Sequence, residues 1–103
     1  MYSLEYLPLA RQDMVEIVTY VAKTLCNPVA ATRLAEKLTE ASENLRAFPY
    51  AQPTYQPLRP LGREYRKLLV ENYLMLYWVD EAEKRITIAR VVYAKRNYGK
   101  LLK

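Results

Sequence analysis

The segment from Arg90 to Lys103, RVVYAKRNYGKLLK, carries Arg90, Lys95, Arg96, Lys100 and Lys103 with no acid among them. Tyr93 and Tyr98 lie between those cations. A structural tail mixes charge signs, whereas unneutralised cations interleaved with aromatic rings suit phosphates and bases. Histidine is absent from the chain, which removes the usual general base and the commonest metal ligand. Cys26 is the one cysteine, so neither a Cys–His nucleophile nor a disulfide within the chain can form. The scattered acids offer no metal constellation. Any catalysis would rest on Lys, Arg, Tyr, Asp or Glu, and no metal or other cofactor is implied. Two glycines are too few for a phosphate-cradling loop.

The charge is uneven. Residues 1–62 hold six cations and six anions, whereas residues 63–103 hold ten cations and five anions. The second half therefore carries the whole net charge of +5, which points to an anionic partner. A chain of 103 residues suits one domain, spanning 1–103, with a core of modest stability. A lone cysteine fits a reducing cytoplasm. Glu5 and Pro8 stand where a secretory signal would have a basic start and an apolar run. The uncharged apolar run from Asn72 to Val79 is far short of the ~20 residues a membrane helix needs.

The elements that must position these groups follow from periodicity. YSLEYL (2–7) alternates and predicts a first strand, with Tyr2, Leu4 and Tyr6 on one face and Pro8 ending it. From Leu9 to Leu25, the residues Met14, Ile17, Val18, Val21 and Leu25 recur at helical spacing. CNP at 26–28 breaks that helix, with Asn27 as N-cap of a second and Pro28 at its first position. Cys26 is expected to be buried or half-buried between the helices. The second helix is predicted to run to about Phe48, where Ala31, Leu34, Leu38, Ala41, Leu45 and Phe48 form one stripe and Pro49 stops it. Residues 49–62 carry five proline or glycine positions and read as an irregular loop. The period then becomes two, in EYRKLLV (64–70), YLMLYWV (73–79) and RITIARVVY (85–93). The expected architecture is α+β in the order β-α-α-β-β-β, a helix hairpin packed on one face of a small, mainly antiparallel twisted sheet.

A two-residue turn at Glu71-Asn72, with Asn in the left-handed region, would pair Val70 with Tyr73, Leu68 with Met75 and Arg66 with Tyr77. Pairing Val79 with Ile86 would set Ile88 beside Tyr77 and Arg90 beside Met75. One face would then hold Arg66, Leu68, Tyr73, Met75, Tyr77, Ile88 and Arg90. The other would hold Lys67, Leu69, Leu74, Leu76, Trp78, Ala89, Val91 and Tyr93. The second set is the more apolar and is expected beneath the helices, with Trp78 in the core. The first would gather two arginines and two tyrosines on a wetter face.

LPLARQDMVEIVTYVA, the second helix ending in LRAFP, YRKLLVENYLMLYWVD and ITIARVVYAKRNYGKLL together resemble the RelE/ParE toxin superfamily. The likeness spans nearly the whole chain and includes the order of its elements. It implies a toxin of a bacterial type II toxin–antitoxin pair, neutralised by a cognate antitoxin protein. One branch of that superfamily cleaves mRNA in the ribosomal A site, and the ParE branch inhibits DNA gyrase. In the RNA-cleaving branch, basic residues of the second and third strands and of the tail form the site with a tail aromatic. Arg66 stands at its strand-two lysine, and Arg96 in AKRN matches the arginine of its GKRE segment. The third-strand arginine falls on Leu74. VENYLMLYWVD and RVVYAKRN lean toward the ParE pattern, with Tyr93 in the place of a histidine.

Two activities follow as expectations. The first is a ribosome-dependent, metal-free endoribonuclease acting on mRNA. Arg66, Arg90 and Arg96 would stabilise the developing phosphorane charge, and Tyr93, Tyr98 or Lys95 would transfer protons. Lys67, Lys95, Arg96 and Lys100 would hold the nucleic acid. The second is a non-enzymatic inhibitor of DNA gyrase, which needs only a complementary basic surface.

Overall fold

The computed structural model describes residues 1–55 and 62–95. Arg96, Tyr98 and Lys100 lie outside them. The elements follow the expected order: β1 (Ser3–Tyr6), α1 (Pro8–Thr19), a π-helical turn (Tyr20–Thr24), α2 (Pro28–Asn44), β2 (Arg66–Val70), β3 (Tyr73–Asp80) and β4 (Arg85–Tyr93). The strands form one mixed sheet in the order β1-β4-β3-β2, parallel between β1 and β4 and antiparallel elsewhere. Among the described residues, no helix is long and apolar enough to cross a membrane.

Proline punctuates the first half. The parallel ladder runs to Tyr6 opposite Ile88, and Leu7 N then donates to Ile88 O at 2.9 Å. Pro8 has no N–H to continue it, and its fixed φ suits the first position of α1. The Leu9–Leu25 periodicity is realised as α1 and then the wider π turn, closed by Leu25 N donating to Tyr20 O. Cys26 follows in the left-handed region, with φ 52. It is exposed, contrary to expectation, because the hairpin reverses there with its side chain outside the helix contact. Asn27 Oδ1 accepts from Ala30 N at 3.1 Å and caps α2, with Pro28 next.

The second helix ends at Asn44, earlier than the apolar stripe predicts. Its last turn tightens through bonds from Leu45 N to Ser42 O, Arg46 N to Glu43 O and Ala47 N to Asn44 O. That change of pitch carries Phe48 off the stripe, and it is 70% exposed while Leu45 stays buried. Arg46 ties the end of α2 to β1, accepting from Tyr2 N at its carbonyl and donating from Nε to Tyr2 O.

The hairpin register matches the expected pairs of β2 with β3, including Arg66 opposite Tyr77. The turn differs: Glu71, not Asn72, takes the positive φ, and its carboxylate pairs with Lys37 of α2. Tyr77 faces Ile88 as expected, but a bulge then adds Ala89, so Leu76 pairs with Arg90 and Met75 with Val91. This extra residue exchanges the faces of everything after it. Arg90 leaves the face of Arg66, Val91 joins the helix-covered core, and Tyr93 lies opposite Tyr73.

The helices cover the face opposite to the one expected. Leu34, Leu38 and Leu45 pack with Met75, Tyr77, Ile86, Ile88 and Val91. Leu74, Leu76, Ala89 and Val92 form a second buried cluster with Tyr65 on the other face. Both faces are therefore apolar, and counting apolar residues could not rank them. Tyr77 is fully buried on the helix side, and its hydroxyl donates to Pro49 O at 2.8 Å.

Candidate functional site

Arg66 opens β2 on the helix-covered side. Its Nη1 donates to Gln52 O at 2.7 Å and Tyr50 O at 3.4 Å, and its Nη2 reaches Glu64 Oε1 at 3.3 Å. The guanidinium lies 5.0 Å from the Tyr50 ring centroid, with the side chain 17% exposed. Together with Tyr77, it grips the chain as it leaves α2. Burial pushes the Tyr77 phenol up to about 12, although Arg66 acts in the opposite direction.

Arg90 is held more firmly. Its Nε and Nη2 donate to the two carboxylate oxygens of Asp13 at 2.7 and 2.9 Å, a bidentate pair. Asp13 also accepts from Val91 N at 2.9 Å. The two side chains are only 15% and 11% exposed. The hydrogen bond to Asp13 holds the guanidinium pKa above its ordinary value against the opposing effect of burial. Physically, α1 takes over from β1 as neighbour of β4: once Pro8 ends the ladder, the Asp13 carboxylate satisfies a backbone donor just past the bulge. Asp13 was missed as a site residue. Its signal was an acid set among the apolar positions Ala10, Met14, Ile17 and Val21, a place where a carboxylate needs a cation.

Tyr93 is 44% exposed, with its ring 6.0 Å from that of Tyr73 at 68°. The Tyr73 phenol pKa is raised, first by burial and then by Tyr93 and Tyr20. The rings of Tyr73 in β3 and Tyr93 in β4 thus meet at one end of the sheet, away from Arg66. Lys67 stands on the helix-free face opposite Leu76, and Lys95 is exposed just after β4. The structure therefore does not gather Arg66, Arg90 and Tyr93 around one point. Among the described residues, no cluster of acids and Cys26 comes together that could hold a metal.

The cations of the second half divide sharply. Arg66, Lys84, Arg85 and Arg90 each pair with a carboxylate, whereas among the described residues Arg63, Lys67 and Lys95 have no such pair. Arg63 instead sits over the Trp78 ring, 3.9 Å from its centroid. Trp78 is half-buried at the edge of the second cluster rather than in the main core. The positive surface left after internal pairing thus includes the helix-free face.

A family model described as the ParE toxin of the type II toxin–antitoxin system parDE matches residues 4–98. Among solved structures, the chromosomal ParDE system of P. aeruginosa aligns with a TM-score of 0.74 at 21% identity, over 92% of this chain and 98% of that one. The RelBE2 complex of Mycobacterium tuberculosis gives 0.60 at 21%, over 89% and 96%. The intact E. coli RelBE complex gives 0.57 at 16%, over 93% and 100%. At these identities the structural likeness shows a shared fold. Compared by sequence with curated proteins, the chain has no significant match.

Proposed function

Given that this chain belongs to the ParE toxin family of type II toxin–antitoxin systems, we propose that it arrests growth by binding a macromolecular target, DNA gyrase, without cleaving RNA. One observation carries this reading. Two of the three arginines that a phosphorane-stabilising site would use, Arg66 and Arg90, direct their guanidinium donors at internal carbonyls and carboxylates. A cation that stabilises a transition state must aim its donors at the charge that develops there. Arg66 and Arg90 instead fasten the 49–52 segment and α1 to the sheet. An inhibitor that works by surface complementarity loses nothing by that arrangement.

The expected contacts with the target are the cations that internal pairing leaves over, Lys67 and Lys95, with Arg96 and Lys100 joining them on sequence grounds. Tyr93 suits the same role, since half-exposed aromatics and arginines anchor many interfaces. A cognate antitoxin would neutralise the toxin by covering this surface with acidic and apolar side chains. The site of action would be the cytoplasm, where gyrase works.

Two parallel assays test the reading. The purified toxin is added to a gyrase supercoiling reaction and to a reconstituted translation system. Loss of supercoiling with intact message is the expected result. Message cut on the ribosome with normal supercoiling would overturn it and return Arg96, Tyr93 and Tyr98 to a catalytic role. Growth arrest on induction, relieved by the neighbouring open reading frame, tests the antitoxin separately.

A further inference from the structure

We propose that the helix-free face of the sheet carries a binding site for single-stranded nucleic acid, built on the Arg63–Trp78 stack with Lys67 beside it. Arg63 precedes β2 and lies with its guanidinium 3.9 Å from the centroid of the Trp78 ring. Tyr65 meets the same ring edge-on, with centroids 5.7 Å apart at 90°. The strand pleat sets Lys67 on the same side as Tyr65, two residues further along. Arg63 stands four residues before Lys67, in the bend that leads into β2.

The chemistry of this group points outward. Arg63 is an exposed residue whose guanidinium lies over the half-buried Trp78 ring. Stacking on Trp78 fixes the orientation of a side chain that would otherwise lose much rotamer freedom on binding. A base can stack on an arginine plane as it does on an aromatic ring. The edges of the same group offer a planar fork to phosphate oxygens, and Lys67 adds a second positive charge along the strand. An exposed base is needed for the stack, which selects a single strand over a duplex. An acidic peptide would use the charges but not the flat stacked surface, so the arrangement favours nucleic acid. No carboxylate pairs with Arg63 or Lys67 among the described residues, although four other cations between residues 63 and 95 have one.

This site does not depend on which protein the toxin inhibits. It would give the toxin its own grip on a strand exposed at its target.

Trp78 is the single tryptophan of the chain, so its emission reports this site alone. The full-length protein is titrated with a short oligo-dT, an oligo-U and a duplex of equal charge, at two salt concentrations. Saturable quenching by a single strand, weakened by salt, is the expected result. The tighter of the two single strands identifies DNA or RNA as the source. Arg63→Ala should weaken single-strand binding at least tenfold with an unchanged melting temperature. Arg63→Lys, which keeps the charge without the plane, should recover only part of it. A control, Lys23→Ala on the helix hairpin, should bind like the parent. The proposal is overturned by unchanged Trp78 emission at saturating strand, by equal quenching with poly-glutamate, or by parental affinity in folded Arg63→Ala.

Discussion

Replacing Asp13 by alanine is expected to destabilise the protein by about 3 kcal/mol, at the low end of the range for breaking a buried ion pair. The carboxylate takes three hydrogen bonds, two from Arg90 and one from Val91 N. Removing it leaves a guanidinium that is only 15% exposed facing a void and strips a backbone donor of its partner. The small residual exposure lets water reach the charge, which keeps the cost from the top of the range. In a domain of this size, each kcal/mol moves the melting temperature by roughly 4–8 °C, so a drop of about 15 °C is expected. Arg90→Ala should cost less, about 2 kcal/mol, because the Asp13 carboxylate keeps its bond from Val91 N. The double variant should lie above the sum of the two singles by about 1–3 kcal/mol, the coupling of residues in contact. Urea titrations of the four proteins, with unchanged slopes, give these values. Toxicity supplies the second axis. If Arg90 is a brace, both single variants lose toxicity in step with stability, although Asp13 bears no chemistry. An Asp13→Ala protein within about 0.5 kcal/mol of the parent would refute the brace. So would an Arg90→Ala protein of parental stability and no toxicity.

Stability should fall as pH rises from about 10 to about 12. The Tyr77 phenol is raised to about 12 in the fold, against roughly 10 when unfolded. Its contribution is complete below the unfolded value and lost as pH climbs to the folded one. Tyr77→Phe should flatten that alkaline limb in pH-dependent urea melts, at the cost of the bond to Pro49 O. Asn27→Ala should cost about 1 kcal/mol by removing the α2 cap, seen as a lower urea midpoint. Cys26→Gly should be neutral or stabilising by up to about 1 kcal/mol, because Cys26 adopts φ 52 and its side chain is exposed; toxicity should be unchanged.

Local pattern decided a great deal here. Alternation over YLMLYWV and RITIARVVY sufficed for the strands, because side chains on a pleat must alternate whatever lies on either side. Pro8, Pro28 and Asn27 marked helix boundaries through their own backbone chemistry. The short Glu71-Asn72 turn fixed the register of β2 on β3, since two residues leave one way to pair the strands. The basic excess of the second half was equally plain.

Pairing across long stretches of chain was another matter. Which sheet face the helices cover depends on how the β1–α1–α2 segment folds back, and no count of apolar residues on a strand contains that. The bulge at Ala89 exists within a ladder, so a sequence of alternating residues does not announce it, yet it alone moved Arg90, Val91 and Tyr93 to new neighbours. Arg90 meets Asp13 from 77 positions away, and Arg66 finds its carbonyls in the chain leaving α2. A charged side chain advertises its chemistry in the sequence. Whether that charge is free for a partner is decided by what the fold brings within hydrogen-bond reach. Here the fold occupies Arg66 and Arg90, while Arg63 is set on an indole ring at the surface.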